Sequence, residues 1–333
     1  MTAPGEAVWV YNKNGIRLDE LQGVQVVRSY NATGFGKATL KIPIRHAKAT
    51  AANLNIGNRI LVQSALVDAW AGVIWTPIQV SNGVYSFQVS SIEERLKRLY
   101  TGNQDILTGT PGAIFTSLIG IANAQESTGM TVGAVDSTGT SISREFNRAK
   151  IGDSINKLAT DFGFVWWVTA SDVSGVLTLS ANWATDRGAT FATPLEEPYN
   201  LHIANCELEG NLVNEICVVG KFANWSAPLV QVVSDTASSG VYGLSQDTLF
   251  SRDVTDTATL TATGEAKLDQ VSQPLRKVTA VVTKPPFPHV GDICDTLING
   301  QGVLFNGRFD SKVMELSYDP ARNVGAVVLK EQA

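Results

Sequence analysis

Two stretches far apart in this chain carry the same ordered landmarks, and a chain that repeats a β pattern in this way is constrained to build two related β units. The first runs Ile56-Gly57-Asn58-Arg59-Ile60-Leu61-Val62, then Trp70-Ala71-Gly72-Val73-Ile74, then Val84-Tyr85-Ser86-Phe87-Gln88-Val89. The second runs Val290-Gly291-Asp292-Ile293-Cys294, then Phe305-Asn306-Gly307-Arg308-Phe309, then Val313-Met314-Glu315-Leu316-Ser317-Tyr318 and residues 324–329. In each, an apolar-Gly-Asx step opens a strand, an aromatic-x-Gly step follows about fifteen residues later, and an alternating strand closes the set. Gly57 and Gly291 are expected to supply positive φ or a tight bend, and Gly72 and Gly307 a bulge or a close backbone approach. The expectation is two versions of one small β-barrel within a single polypeptide.

A length of 333 residues is enough for two or three domains, each with its own core. The formal net charge of −5 argues against a surface that grips nucleic acid, which needs clustered basic groups to neutralise phosphates. It leaves room for a neutral or acidic passage through which DNA slides. Charged residues make up 17%, against roughly 25% in an ordinary soluble domain, and so weakly charged a surface suits a protein that covers much of itself with partners. Cys206, Cys217 and Cys294 are odd in number and sit in apolar, strand-like stretches, so buried free thiols and a reducing compartment are expected. No C-x-x-C pair occurs, and His46, His202 and His289 stand apart, so neither a metal site nor a cofactor is expected. The opening Met-Thr-Ala-Pro-Gly-Glu lacks the basic-then-apolar order of a signal peptide, and no run approaches the roughly eighteen apolar residues of a membrane span. A soluble protein made in the cytosol is the expectation.

Residues 1–100 read as a first barrel, with strands over 7–11, 23–30, 37–43, 59–63, 69–74 and 83–90 between Asn/Gly turns, followed by a short helix over 92–99. Its basic residues Arg95, Lys97 and Arg98 read as a solvated face. Residues 101–202 read as an α/β insertion with its own small core. Thr110-Pro111 starts one helix, with Ile114, Phe115, Leu118, Ile119 and Ala122 on one stripe; Asp153 is the expected cap of a second, and Gly163 its stop. A Trp-rich hairpin follows over 164–169 and 176–180. Adjacent strand residues point to opposite faces, so Trp166 and Trp167 should divide, one ring in the core and the other toward a second layer or a partner. The competing reading is a stacking platform for a ligand. Residues 203–333 read as the second barrel, with strands over 203–209, 215–221 and 229–234, a loop over 235–258, a helix near 259–272 and a strand over 276–283. With the last strand so near residue 333, no appended catalytic domain is expected. The fold class is therefore a β-rich α+β chain: two related small β-barrel domains with an inserted helix-plus-hairpin α/β domain.

No catalytic constellation emerges. Gly34-Phe35-Gly36-Lys37-Ala38 lacks the interval of a phosphate loop, and Ala38 stands where a magnesium-holding hydroxyl is needed. Gly243-Leu244-Ser245-Gln246-Asp247 lacks the second glycine of a nucleophile elbow. Glu93-Glu94 and Glu196-Glu197 are adjacent in sequence and diverge, whereas paired glycosidase carboxylates face each other across a cleft. The expected inventory is no catalytic, no cofactor-binding and no metal-binding residue, and no enzyme.

The order of elements, with Pro274-Leu275-Arg276-Lys277-Val278, Pro288-His289-Val290-Gly291-Asp292 and Gly307-Arg308-Phe309 leading to Tyr318-Asp319-Pro320, resembles the tail hub or baseplate hub family of tailed bacteriophages and the hubs of contractile injection systems. The resemblance covers nearly the whole chain and implies a homotrimer in which two barrels per chain form a ring of pseudo-sixfold symmetry. Such a ring joins a hexameric tail tube, or a distal tail protein, to tip, spike or fibre proteins. It also surrounds the passage for tape-measure protein and DNA, in a virion tail assembled in the host cytoplasm. Three chains with two barrels each match both symmetries, with heterologous contacts that close. A receptor- or carbohydrate-binding tail protein, a tail-associated cell-wall hydrolase and a cellular β-barrel assembly protein are the alternatives.

Overall fold

The computed structural model describes residues 6–32, 34–76, 78–187, 190–208, 212–222, 228–302 and 305–332. The strands β1 (Ala7–Tyr11), β2 (Arg17–Glu20), β3 (Gln25–Asn31), β4 (Lys37–Pro43), β5 (Arg59–Gln63), β6 (Trp70–Val73), β7 (Gln79–Ser81) and β8 (Val84–Ser91) come first, and a 3-10 helix, Ile92–Arg98, leads away from them. The middle of the chain holds β9 (Asp105–Gly109), α1 (Pro111–Gln125), β10 (Met130–Val135), β11 (Ile142–Phe146), α2 (Ile151–Phe162), β12 (Val165–Val173) and β13 (Val176–Ala184). Next come β14 (Thr190–Glu196), β15 (Leu201–Leu208), β16 (Glu215–Phe222), β17 (Pro228–Ser234), α3 (Thr236–Tyr242), β18 (Gln246–Phe250) and α4 (Thr257–Val271). The last strands are β19 (Arg276–Val282), β20 (Ile293–Ile298), β21 (Gly307–Asp319) and β22 (Val324–Glu331).

The chain builds one five-strand unit twice. Strands that follow in sequence as β3, β4, β5, β6 and β8 lie side by side as β5-β6-β8-β4-β3. Those that follow as β15, β19, β20, β21 and β22 lie side by side as β20-β21-β22-β19-β15. Every neighbouring pair in both units is antiparallel, and the registers agree from ladder to ladder. Val73 faces Arg59 on one side and Ser90 on the other, as Lys312 faces Ile293 and Lys330. Ala38 faces Val89 and Arg28, as Val278 faces Leu329 and Cys206.

The Gly-Asx steps agree in backbone detail. Gly57 has φ 93° and Gly291 φ 92°, a left-handed conformation that favours glycine in both copies. The Gly57 N–H donates to the Ile74 carbonyl at 2.8 Å, and the Ile74 N–H returns to the Asn58 carbonyl at 2.9 Å. In the second copy Gly291 donates to Val313 at 2.8 Å, and Val313 to Asp292 at 3.0 Å.

The aromatic-x-Gly steps, by contrast, are not equivalent. By register Gly72, between Ile60 and Ser91, corresponds to Ser311, between Cys294 and Glu331. Gly307 lies further back, at the start of a longer hairpin, where it takes φ 140°. Gly72 is the close approach expected of it, since a Cβ there would fall 2.5 Å from the Ser90 carbonyl oxygen.

The strand order is doubled, but the expected barrels do not close among the described residues. A closed barrel needs its last strand to return to its first. Here the outer edge of β3 is taken by the other unit: β21, thirteen residues long, pairs with β20 along its first half and with β3 through Glu315–Tyr318 along its second. The two units fuse into one continuous sheet, which satisfies that edge without closure. The units also differ outside β5 and β20, where β1 runs antiparallel to the first and β14 parallel to the second.

The insertion does not keep a core of its own. Phe115, Leu118, Ile155, Leu158, Trp166 and Trp183 bury in one cluster with Tyr11, Leu61, Val73 and Leu96 of the first unit. Thr110 caps α1 by accepting the Ala113 N–H at 3.3 Å, with Pro111 in the first turn, and Gly163 ends α2 at φ 71°. Asp153 is not the cap of α2; the helix begins three residues earlier than a cap at Asp153 requires, after Lys150, and places Asp153 in its first turn, where a negative charge meets the positive end of the helix dipole.

The predicted loop over 235–258 contains α3 and β18. The Asp256 carboxylate accepts the Thr259 N–H at 2.8 Å and so starts α4. That helix buries Leu260 and Leu268 against Ile216, Val218 and Val233 of the small β17-β16-β18 sheet. Glu209 of the predicted strand over 203–209, the first five residues and Ala333 lie outside the described residues. No helix among the described residues is long and apolar enough to cross a membrane.

Candidate functional site

The chemistry of the chain gathers where the two units and the insertion meet. As strand alternation requires, the tandem tryptophans divide. Trp166 is fully buried in the core shared by the first unit and the insertion, its indole N–H donating to Asn156 Oδ1 at 2.8 Å and its ring edge-on to Phe35. Trp167 packs against the core of the second unit, with the Arg187 guanidinium 4.8 Å above its ring. Two adjacent residues thereby join two cores.

Around Trp167 runs a chain of charges. Arg187 Nη1 meets Asp68 Oδ2 at 2.6 Å, Asp68 Oδ1 lies 3.4 Å from His289 Nε2, and His289 Nδ1 lies 3.2 Å from Asp292 Oδ2. Asp68 belongs to the β5–β6 connection of the first unit and Asp292 to the Gly-Asx step of the second. The Asp292 hydrogen bond raises the His289 pKa above its usual value, against the burial that lowers it, and the Asp68 charge assists. Histidine isolated in sequence is therefore part of a network in space. Nothing in the sequence around His289 gave this away except its place three residues before Asp292.

A cavity of about 230 Å³ opens at this junction, lined among others by Tyr30, Trp70, Glu93, Trp166, Trp167 and Arg187. Burial pushes the Glu93 carboxyl up to about 7, against hydrogen bonds from Ser91 and the Val168 backbone that favour its charged form. Two residues before Tyr30 on β3, Arg28 is wholly buried, pairing with Glu6 at 2.6 Å, donating to Tyr30 Oη at 2.8 Å and lying 5.3 Å from the Tyr318 ring centre. The pair is only partly satisfied, since Arg28 Nη2 and Glu6 Oε2 are buried without a hydrogen-bond partner.

The remaining candidates disperse. Glu94 turns from Glu93 to Lys97 at 3.1 Å; Glu196 reaches Arg308 at 3.2 Å while Glu197 accepts from Asn299 and Gln301. Ser245 Oγ donates to the Leu212 carbonyl at 2.8 Å. Gly34, at φ 77°, passes under Trp166, where a Cβ would fall 2.5 Å from the ring. The basic cluster is a solvated face only in part: Arg95 is buried and paired with Glu126 at 2.7 Å, whereas Lys97 is half-buried, 3.5 Å from the Phe35 ring centre, and Arg98 is exposed, 3.8 Å from that of Trp75. The long side chains cover aromatic surface that the 3-10 helix would otherwise leave open. All three cysteines are free thiols, with Cys294 buried and Cys206 and Cys217 half-buried. Among the described residues no group of three or more His, Cys, Asp or Glu side chains is placed to hold a metal ion.

No protein-family model matches the sequence, and no curated protein matches it. Solved structures do match the fold. A prophage tail protein, gp18 from Listeria monocytogenes EGD-e, superposes with a TM-score of 0.66 at 11% identity, over 97% of this chain and 94% of that one. The 43 kDa tail protein of prophage MuSo2 from Shewanella oneidensis gives 0.61 at 13% identity, over 97% and 98%. The E. coli c3393 protein, a component of the type VI secretion system with structural similarity to T4 bacteriophage tail proteins gp27 and gp5, gives 0.50 at 9% identity, over 100% and 75%. The chain has a phage tail-protein fold. The tail-protein fold spans nearly its whole length, insertion included, which agrees with the resemblance drawn from the element order.

Proposed function

We propose that this protein is a structural, non-catalytic hub of a phage tail or baseplate, acting in the virion after assembly in the host cytoplasm. Three copies form a ring of six similar units that joins a hexameric tube, or a distal tail protein, to tip, spike or fibre proteins. Tape-measure protein and DNA pass through its centre. The observation that carries this reading is the five-strand unit built twice in one register on a tail-protein fold, because a chain holding two like units is what lets threefold and sixfold partners share a surface. The net charge of −5 suits a passage that DNA crosses without sticking. The test is the mass of the purified chain by light scattering, with images of the particle down its axis: a trimer with six similar lobes is expected. A stable monomer at every concentration that also fails to join tail proteins overturns the proposal, and tight DNA binding at physiological salt overturns the account of the passage.

A further inference from the structure

The contact between the two units inside one chain specifies a second contact that the isolated chain leaves unmade. Within the chain, the end of β21 (Ser317–Asp319) pairs with β22 on one side and, through Ser317 and Tyr318, with β3 on the other. In the first unit the strand equivalent to that end is β7: Gln79, Val80 and Ser81 face Ser86, Tyr85 and Val84, as Ser317, Tyr318 and Asp319 face Ala326, Gly325 and Val324. The second unit's equivalent of β3 is β15, with Cys206 standing where Arg28 stands. Among the described residues β7 pairs only with β8, and β15 only with β19. Both carry uncovered apolar side chains on these edges, Val80 at 62% and Leu208 at 40% exposure.

We propose that β15 of one chain pairs antiparallel with β7 of a second copy, repeating between chains the β3–β21 contact made within each. The register transfers directly. Tyr318 opposite Arg28 becomes Val80 opposite Cys206, Ser317 opposite Ser29 becomes Gln79 opposite Glu207, and Leu316 opposite Tyr30 becomes Ile78 opposite Leu208. The occupant is a second copy because the covered version of this edge is already filled by this chain's own strand. Side chains agree with the choice, since Ile78 meets Leu208 and Val80 meets a thiol. Each chain offers one such edge and accepts one, a head-to-tail contact that closes into a ring when the rotation permits. The inference rests on the ring reading above and adds to it which strands meet.

The test uses the full chain with Val80→Cys, placed opposite the native Cys206, under copper–phenanthroline oxidation. Directly opposed antiparallel residues lie within disulfide reach. Non-reducing gels are expected to show a ladder ending at three linked chains, absent from the unsubstituted protein and from Val80→Cys with Cys206→Ser. Oligomers that form in solution without Cys206-dependent linkage overturn the β7–β15 contact and leave the ring reading standing. Cys206-dependent linkage continuing beyond three chains upholds the contact and overturns the threefold count. A chain that stays monomeric and unlinked overturns both.

Discussion

Register by register, β3 of the first unit and β15 of the second are one strand in two circumstances. Arg28, covered by β21, is fully buried among Glu6, Tyr30 and Tyr318, whereas its counterpart Cys206, on the open edge, is half-buried. The Gly-Asx steps tell the opposite story, with φ 93° and 92° and the same hydrogen bonds in both copies. Duplicated units keep the residues that fix backbone conformation. They let side chains diverge wherever their neighbours differ.

The largest expected effect breaks this comparison at its most unequal position. Arg28→Ala leaves Glu6 buried without its partner and should cost about 3–5 kcal/mol in urea unfolding, while Cys206→Ala should change the stability of the single chain by less than about 1 kcal/mol. Comparable losses at both positions would mean that the two edges are not in different surroundings.

Next in size is the Glu93 carboxyl, buried where the insertion packs on the first unit. Its folded pKa of about 7 lies above the ordinary 4.5, so the folded state prefers the protonated form. Its contribution is complete below pH 4.5 and declines as pH rises toward 7, by roughly 3 kcal/mol in all, and is flat above. Glu93→Gln removes that decline, so urea midpoints across this range should separate the variant from the parent progressively, in the variant's favour.

Gly72→Ala sharpens the comparison at the close approach. Its Cβ meets the Ser90 carbonyl, and overpacking of this kind costs roughly 1–3 kcal/mol, whereas Ser311→Ala at the equivalent position adds no atoms and loses the hydroxyl's hydrogen bonds with Thr296 at 2.6 Å and with the Cys294 carbonyl at 3.4 Å, worth about 1 kcal/mol. Gly57→Ala should cost about 1–2 kcal/mol for its left-handed conformation, where an added Cβ meets nothing. Gly291→Ala should cost at least as much, because its Cβ would also fall 2.7 Å from Arg187 Cγ; a smaller loss there would show that the two steps are not the same device.

The smallest effect is at His289. Its folded pKa is raised, so its stabilising contribution is complete below 6.5 and disappears as pH climbs past the folded value. His289→Asn should therefore lower the thermal midpoint in mildly acid solution and leave it unchanged in alkaline solution.

Features set by one residue and its immediate neighbours were legible in the sequence. Gly57, Gly291 and Gly163 take the left-handed conformations asked of them, Thr110 caps its helix, and Trp166 and Trp167 face opposite ways because strand geometry allows nothing else. Features that depend on who covers whom were not. Burial of Arg95, the joining of Asp68 to Arg187 across 119 residues, and the pairing of β3 with β21 in place of barrel closure each follow from contacts between segments remote in the chain. A glycine's φ is decided by its own sterics, so the sequence alone determined the two repeated steps. The fate of a strand edge or a buried charge is decided by whichever surface arrives to satisfy it, and only the tertiary structure supplies that surface.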